Sequence, residues 1–260
     1  MTPIRSSSAV TLYAHRGAAT ECPENTLVSF REALSVGATA LELDVHITSD
    51  QVVVVSHDPS GERAAAKHKS ISECTFDELQ TWDAGWGFEG PESTRPFANK
   101  GITIPTFESV IEAFPEVLLN VDLKVPIAPQ VVSLIHKLNA HDRICLASFQ
   151  RSTLDHVREL GYRGATSLAQ NEVIQLMLLP KIFQRGRLKP KGQVAQLPLW
   201  LLRPSVVRRC HALGLRVDVW TVNEPSDAKR LLAMGVNGIM TDDPRRIAPI
   251  VAEWNQKLPL

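Results

Sequence analysis

Residues 40–47 read Ala-Leu-Glu-Leu-Asp-Val-His-Ile, and residues 52–58 read Val-Val-Val-Val-Ser-His-Asp. Side chains alternate faces along a strand, so Glu42 and Asp44 point the same way. Two carboxylates on one face of an apolar run are costly to bury unless something positive sits between them. A hard divalent cation, Mg²⁺ or Ca²⁺, is a natural partner because such ions take oxygen ligands. His57, at the end of the next apolar run, can supply proton transfer beside that cation. The plainer alternative is a half-exposed edge strand carrying two solvated acids.

Outward from this pair, short β-rich runs alternate with helical patterns. Runs starting at Val10, Ala40, Val117, Ile144, Gly164, Val194, Arg216 and Gly238 read as core strands. Helical spacing of apolar residues falls over Thr26–Val36, Thr106–Phe114, Pro129–Leu138, Thr153–Leu160, Pro204–Leu213 and Pro225–Met234. Gly37, Gly161, Gly214 and Gly235 stand just past four of these helices, a usual stop. Such alternation predicts parallel β/α units, and eight of them in 260 residues predict a TIM-type (β/α)8 barrel. The runner-up is an open doubly wound sheet, weakened because no glycine-rich phosphate loop follows any strand.

Residues 59–100 break the pattern. They hold Gly61, Gly85, Gly87, Gly90, Pro91 and Pro96 with Trp82, Trp86 and Phe88, and one clear helical stretch at Thr75–Trp82. Thr75 with Glu78 three residues on has the form of a capping box. The segment reads as an insertion after the second strand of one domain spanning 1–260, too short to bury much by itself and expected to lie over the barrel mouth.

Composition narrows the partners. A 44% hydrophobic content in 260 residues is ample for one large core. Lys plus Arg and Asp plus Glu are 28 each, so no global field points to nucleic acid. The basic stretch Lys181–Lys191 is interrupted by Leu and Pro and reads as a solvated loop. Cys22, Cys74, Cys145 and Cys210 lack zinc-site spacing and are expected as free thiols. Met1 to Val10 is polar and no run approaches the ~20 apolar residues of a membrane span. The expectation is a cytoplasmic protein without stable membrane insertion.

Polar residues gather where strands end. His15 and Arg16 follow the first strand, Asp122 and Lys124 end the third, and Gln150 follows the fourth. Trp220 and Asn223 follow the seventh, and Asp242 and Asp243 the eighth. In a barrel these ends meet on one face, where active sites lie. Each has a plainer reading too. His15 is then a loop histidine, Arg16 a surface ion pair, Asp122–Lys124 a structural salt bridge and Trp220 core packing. Asp242-Asp243-Pro244 reads better as a helix start than as chemistry. His46, His68, His136, His141, His156 and His211 read as structural or surface histidines.

The ordered set His15-Arg16-Gly17, Pro23-Glu24-Asn25-Thr26, Glu42-Leu43-Asp44-Val45, Thr48-Ser49-Asp50, Val55-Ser56-His57-Asp58, Asp122-Leu123-Lys124, Trp220-Thr221-Val222-Asn223 and Gly238-Ile239-Met240-Thr241-Asp242-Asp243-Pro244 resembles the glycerophosphodiester phosphodiesterase family. The resemblance runs from about residue 12 to 247. It implies a TIM barrel with a small insertion, and hydrolysis of a small-molecule glycerophosphodiester to sn-glycerol 3-phosphate and an alcohol. It implies one divalent cation, Mg²⁺ or Ca²⁺, held by Glu42, Asp44 and the acid at 122, with His15 and His57 as the acid/base pair. Arg16 and Lys124 match positions near the phosphate, and Trp220 is a candidate substrate contact. This chain departs in having Asp122 where the family usually has Glu, one methylene shorter, and in a loose match over Pro59–Arg63. The rival activity on the same barrel is phospholipase D-type cleavage of lysophospholipids, with Leu176–Ile182 and Leu197–Leu202 as a possible acyl groove or as plain core.

Overall fold

The computed structural model describes residues 9–178 and 190–258. Eleven strands are present among them: β1 Thr11–His15, β2 Ala40–Ile47, β3 Val53–Val55, β4 Ser60–Gly61, β5 Lys67–Ser70, β6 Leu118–Leu123, β7 Ile144–Ala147, β8 Ala165–Thr166, β9 Val194–Pro198, β10 Arg216–Trp220 and β11 Gly238–Thr241. Eight of them pair in parallel in the order β8-β7-β6-β2-β1-β11-β10-β9. The last gap is bridged by a parallel contact between Ser167 and Val194. Backbone N–H groups of Leu168 and Gln193 donate across it to the carbonyls of Val194 and Thr166, at 2.9 and 2.8 Å. The sheet therefore closes on itself as a (β/α)8 barrel, and all eight expected strand positions are occupied.

The helices lie outside the barrel: α1 Leu27–Ser35, α2 Glu62–Ala65, α3 Phe76–Leu79, α4 Phe107–Ala113, α5 Ala128–Lys137, α6 Arg151–Glu159, α7 Gln170–Leu178, α8 Pro204–Ala212, α9 Pro225–Met234 and α10 Pro244–Gln256. Thr26 and Thr106 cap α1 and α4 through their hydroxyls, which accept from the amides of Ser29 and Ser109. Gly235 ends α9 at φ 83°, a conformation that costs a residue without Cβ nothing. The outward faces of the strands pack against these helices in two arcs. Phe30, Leu41, Leu43, Phe107, Leu119 and Ile135 belong to one, and Leu12, Leu197, Val217, Leu231, Ile239 and Ile247 to the other. All four cysteines are buried free thiols. No helix among the described residues is long and apolar enough to cross a membrane.

Besides the short elements α2, β4 and β5 after β3, two longer helices went unread in the sequence. Helix α7 carries buried Leu176 but ends in Leu178, 76% exposed, so its apolar residues are not confined to one face. Helix α10 holds Pro249, which breaks the expected pattern, though the Asp243-Pro244 start signal stands. The remainder of the basic stretch and of Leu176–Ile182 lies outside the described residues, except that Lys191 binds Asp155 at 2.9 Å. In Leu197–Leu202 the leucines pack into the core and only Trp200 is exposed.

The segment after β3 makes more of a core than its length suggests. Ala65, Ile71, Cys74, Leu79, Trp82 and Ala84 are buried together with Val54 and Ile104, which flank it. Thr75 and Glu78 form the expected capping box, but the helix they start stops at Leu79. Trp82 turns inward instead of extending it, and closes this small core.

Candidate active site

The pairing register places the site. His15 lies beside Glu42, and Asp44 beside Asp122. Since Glu42 and Asp44 share a face of β2, these side chains meet inside the C-terminal mouth of the barrel. Glu42, Asp44 and Asp122 are all buried. Lys124 bridges the last two, its Nζ 2.8 Å from Asp44 Oδ1 and 2.7 Å from Asp122 Oδ2.

Arg16 enters from the turn after β1. It has φ 58°, followed by Gly17 at φ 91°. A Cβ on Gly17 would meet Ser29 Oγ at 2.2 Å. This tight turn aims the amide of Arg16 at Glu42 Oε2, 3.1 Å away, and its Nη1 at Glu24 Oε1, 3.2 Å away. Arg16 Nε is buried without a hydrogen bond and faces Asp44 Oδ2 at 3.3 Å. Asn25, also at positive φ, donates from Nδ2 to the same Asp44 oxygen at 3.0 Å.

Each candidate histidine has one ring nitrogen held by a carboxylate. His15 Nδ1 lies 2.6 Å from Asp242 Oδ1, and Asp242 Oδ2 accepts from Asn223 Nδ2 at 2.8 Å. His57 Nδ1 lies 2.7 Å from Asp58 Oδ1. Asp242-Asp243-Pro244 reads in the sequence as a helix start. Asp243 does cap α10, accepting from the Arg246 amide, while Asp242 turns into the mouth. His46 is structural: it is buried, with Nε2 3.2 Å from the carbonyl of His57. Trp220 is half-buried and meets the exposed ring of Phe149 edge-on at 6.2 Å.

The electrostatics follow from crowding. Burial pushes Glu42 up to about 8, and Asp44 and Asp122 add to the effect. Burial also raises Asp122, outweighing its ion pair with Lys124. Asp44 is buried as well, yet Lys124 and Arg16 hold it below the usual carboxylate range. Burial opposes charge on His15, but Glu42 and Asp242 prevail and raise it. Asp242 and Asp58 overcome burial through their hydrogen bonds, His15 with Asn223 and Arg63 with His57 respectively, and are held low.

A cation fits this donor set. Three carboxylates on adjacent strands supply hard oxygens, and Glu42 is raised by burial first and by Asp44 and Asp122 second, a cost that a dication among them would offset. Among the described residues no three His, Cys, Asp or Glu side chains stand grouped as around a bound ion. The ammonium of Lys124 fills the place between Asp44 and Asp122, so ammonium and cation compete for the same oxygens.

Beside the mouth, a cavity of about 270 Å³ lies between the loop after β1 and the segment after β3. Thr20, Pro23, Glu24, Arg63, Phe88 and Glu89 are among the residues lining it. Glu24, Asn25, Asp58 and Asn223 fall within the sequence motifs but carry no role predictable from sequence alone, and neither does Arg63. The adjacency of Asp58 to His57 is the only available signal.

The profile of the glycerophosphoryl diester phosphodiesterase family matches residues 15–160 and 174–246. A glycerophosphodiester phosphodiesterase of Caldanaerobacter subterraneus is 28% identical over 92% of this chain and 96% of its own length. The human protein named lysophospholipase D GDPD1 is 26% identical, covering 90% of this chain and 83% of its own. The crystal structure of a putative glycerophosphoryl diester phosphodiesterase from Silicibacter pomeroyi superposes with a TM-score of 0.80 at 26% identity, covering 97% of this chain and 96% of that one.

Proposed function

Because the chain belongs to the glycerophosphoryl diester phosphodiesterase family, we propose that it hydrolyses glycerophosphodiesters to sn-glycerol 3-phosphate and an alcohol, with His15 and His57 exchanging the protons. The observation that carries the reading is the matched pair of histidine–carboxylate contacts at the mouth, His15–Asp242 and His57–Asp58. An ionised carboxylate only accepts hydrogen bonds, so each holds the proton of its partner on Nδ1 and leaves Nε2 for substrate. One imidazole takes the proton of the nucleophile and the other returns a proton to the leaving alkoxide. Such help is worth about 10²–10⁴-fold.

The phosphoryl oxygens need donors. Arg16 offers a buried Nε with no hydrogen bond, and Lys124 an ammonium held between Asp44 and Asp122. Both side chains already sit among carboxylates, so an incoming anion meets charge fixed before it arrives. Glu42, Asp44 and Asp122 would hold one divalent cation, Mg²⁺ or Ca²⁺. When bound, it would polarise a phosphoryl oxygen. Trp220, at the end of β10, would line the substrate, and residues 59–100 would wall the alcohol half.

The reading is tested by incubating the purified chain with sn-glycero-3-phosphocholine and identifying the phosphorus product. Glycerol 3-phosphate supports it; phosphocholine would show cleavage of the other ester bond.

A second reading, phospholipase D-type release of a head group from lysophospholipids, is favoured by exposed apolar side chains after β7 and β9. Phe149 is 55% and Trp200 76% exposed. Turnover of lysophosphatidylcholine with none of glycerophosphocholine would select it.

A further inference from the structure

Arg63 belongs to the short helix α2 of the segment after β3. Its guanidinium uses all three nitrogens. Nε donates to Asp58 Oδ2 at 2.6 Å, while Nη1 and Nη2 donate to Glu24 Oε2 and Oε1 at 2.9 and 2.7 Å. Each carboxylate spends its remaining capacity on a candidate catalytic or binding group. Asp58 Oδ1 meets His57 Nδ1, and Glu24 Oε1 accepts from Arg16 Nη1. One planar fork therefore connects two residues that lie 41 positions apart in sequence, His57 and Arg16.

The energetics favour geometry over stability as the reason for this link. The side chain of Arg63 is 49% exposed, and ion pairs of that kind add little to folding. What the fork fixes is direction. A guanidinium presents its donors in one plane, so the two carboxylates are held at a set angle to each other. With Asp58 clamped through Oδ2, its free oxygen faces His57 and keeps the Nδ1–H tautomer. With Glu24 clamped by both oxygens, Arg16 is turned so that Nε faces Asp44.

We propose that Arg63 is a positioning residue that orients His57 and Arg16 together, coupling the segment after β3 to proton transfer and to phosphate binding. This rests on the roles given above to His57 and Arg16.

The test uses the full chain with R63A, R63K, D58N, E24Q and the doubles R63A/D58N and R63A/E24Q, with folding checked by circular dichroism. R63A is expected to lose on the order of 10²-fold in kcat/KM, as for a misplaced catalytic group. D58N should lower kcat and E24Q should raise KM for glycerophosphocholine. Each double should be no worse than its worse single, because the shared interaction is already gone. R63K, which keeps charge without the fork, should restore only a minor share. Losses that multiply in the doubles, or an R63A enzyme within threefold of the parent, would overturn the proposal. A readout free of turnover separates it from the reaction assignment. Long-range ¹H–¹⁵N spectra at alkaline pH should show neutral His57 as the Nδ1–H tautomer in the parent and as a mixture in R63A. An unchanged tautomer refutes the positioning role. A changed tautomer in an enzyme that leaves glycerophosphocholine intact refutes the substrate instead.

Discussion

Asp242 Oδ1 lies 2.6 Å from His15 Nδ1, a contact between residues 227 positions apart that join only when β1 and β11 pair. The acid is itself fixed, because Asn223 donates to its second oxygen and accepts from its amide. Removing its charge while keeping its shape should spoil the tautomer without moving the ring. D242N is expected to lower kcat on the order of 10²-fold or more with KM little changed. Steady-state kinetics would show this, and an unchanged kcat would remove His15 from proton transfer.

Glu42 gives a pH signature of stability. Its carboxyl is pushed up to about 8 from a usual 4.5, chiefly by burial and then by Asp44. Between those values the folded chain keeps a proton that the unfolded chain has released. Stability in EDTA should therefore fall as pH rises through this window and level off above it. Mg²⁺ or Ca²⁺ should flatten the fall by neutralising the ionised form. Thermal unfolding of the parent and of E42Q at a series of pH values checks this. The same slope in E42Q would place the titration elsewhere.

Lys124 and a cation contend for Asp44 and Asp122. Replacing the ammonium by a thioether, K124M, should tighten Mg²⁺ or Ca²⁺ binding by roughly tenfold, about 1.4 kcal/mol. Turnover should fall on the order of 10²-fold, since a phosphate donor is lost. Titration calorimetry reads the first effect independently of the second. Weaker cation binding in K124M would mean that Lys124 organises the carboxylates instead of blocking them.

Gly17 sets the turn that delivers Arg16. At φ 91°, with Ser29 Oγ only 2.2 Å from where a Cβ would stand, G17A is strained in both backbone and side chain. A loss of about 2 kcal/mol or more is expected in urea unfolding. A near-neutral G17A would show that the turn can relax.

The barrel was legible because its strands are short β-rich runs set off by helices that stop at glycine. All eight starts, Val10 to Gly238, fall within two residues of a strand. His15, Glu42, Asp44, Asp122 and Lys124 were legible because strand ends converge in such a fold. The links between them were not. Asp242 follows β11 whether it caps a helix or reaches His15, and Arg63 lies 39 positions from Glu24 within a segment that has no period. Side-chain closure depends on turns such as Arg16-Gly17, which sequence spacing does not encode.

The most direct test of the account follows glycerol 3-phosphate release from glycerophosphocholine by the parent enzyme, H15A and H57A, each in EDTA and after Mg²⁺ or Ca²⁺ is restored. EDTA should abolish release by the parent and the cation should restore it. Each variant should lose about 10²-fold or more, a loss that no cation recovers. Full turnover in EDTA, or near-parental rates in both variants, would contradict this mechanism.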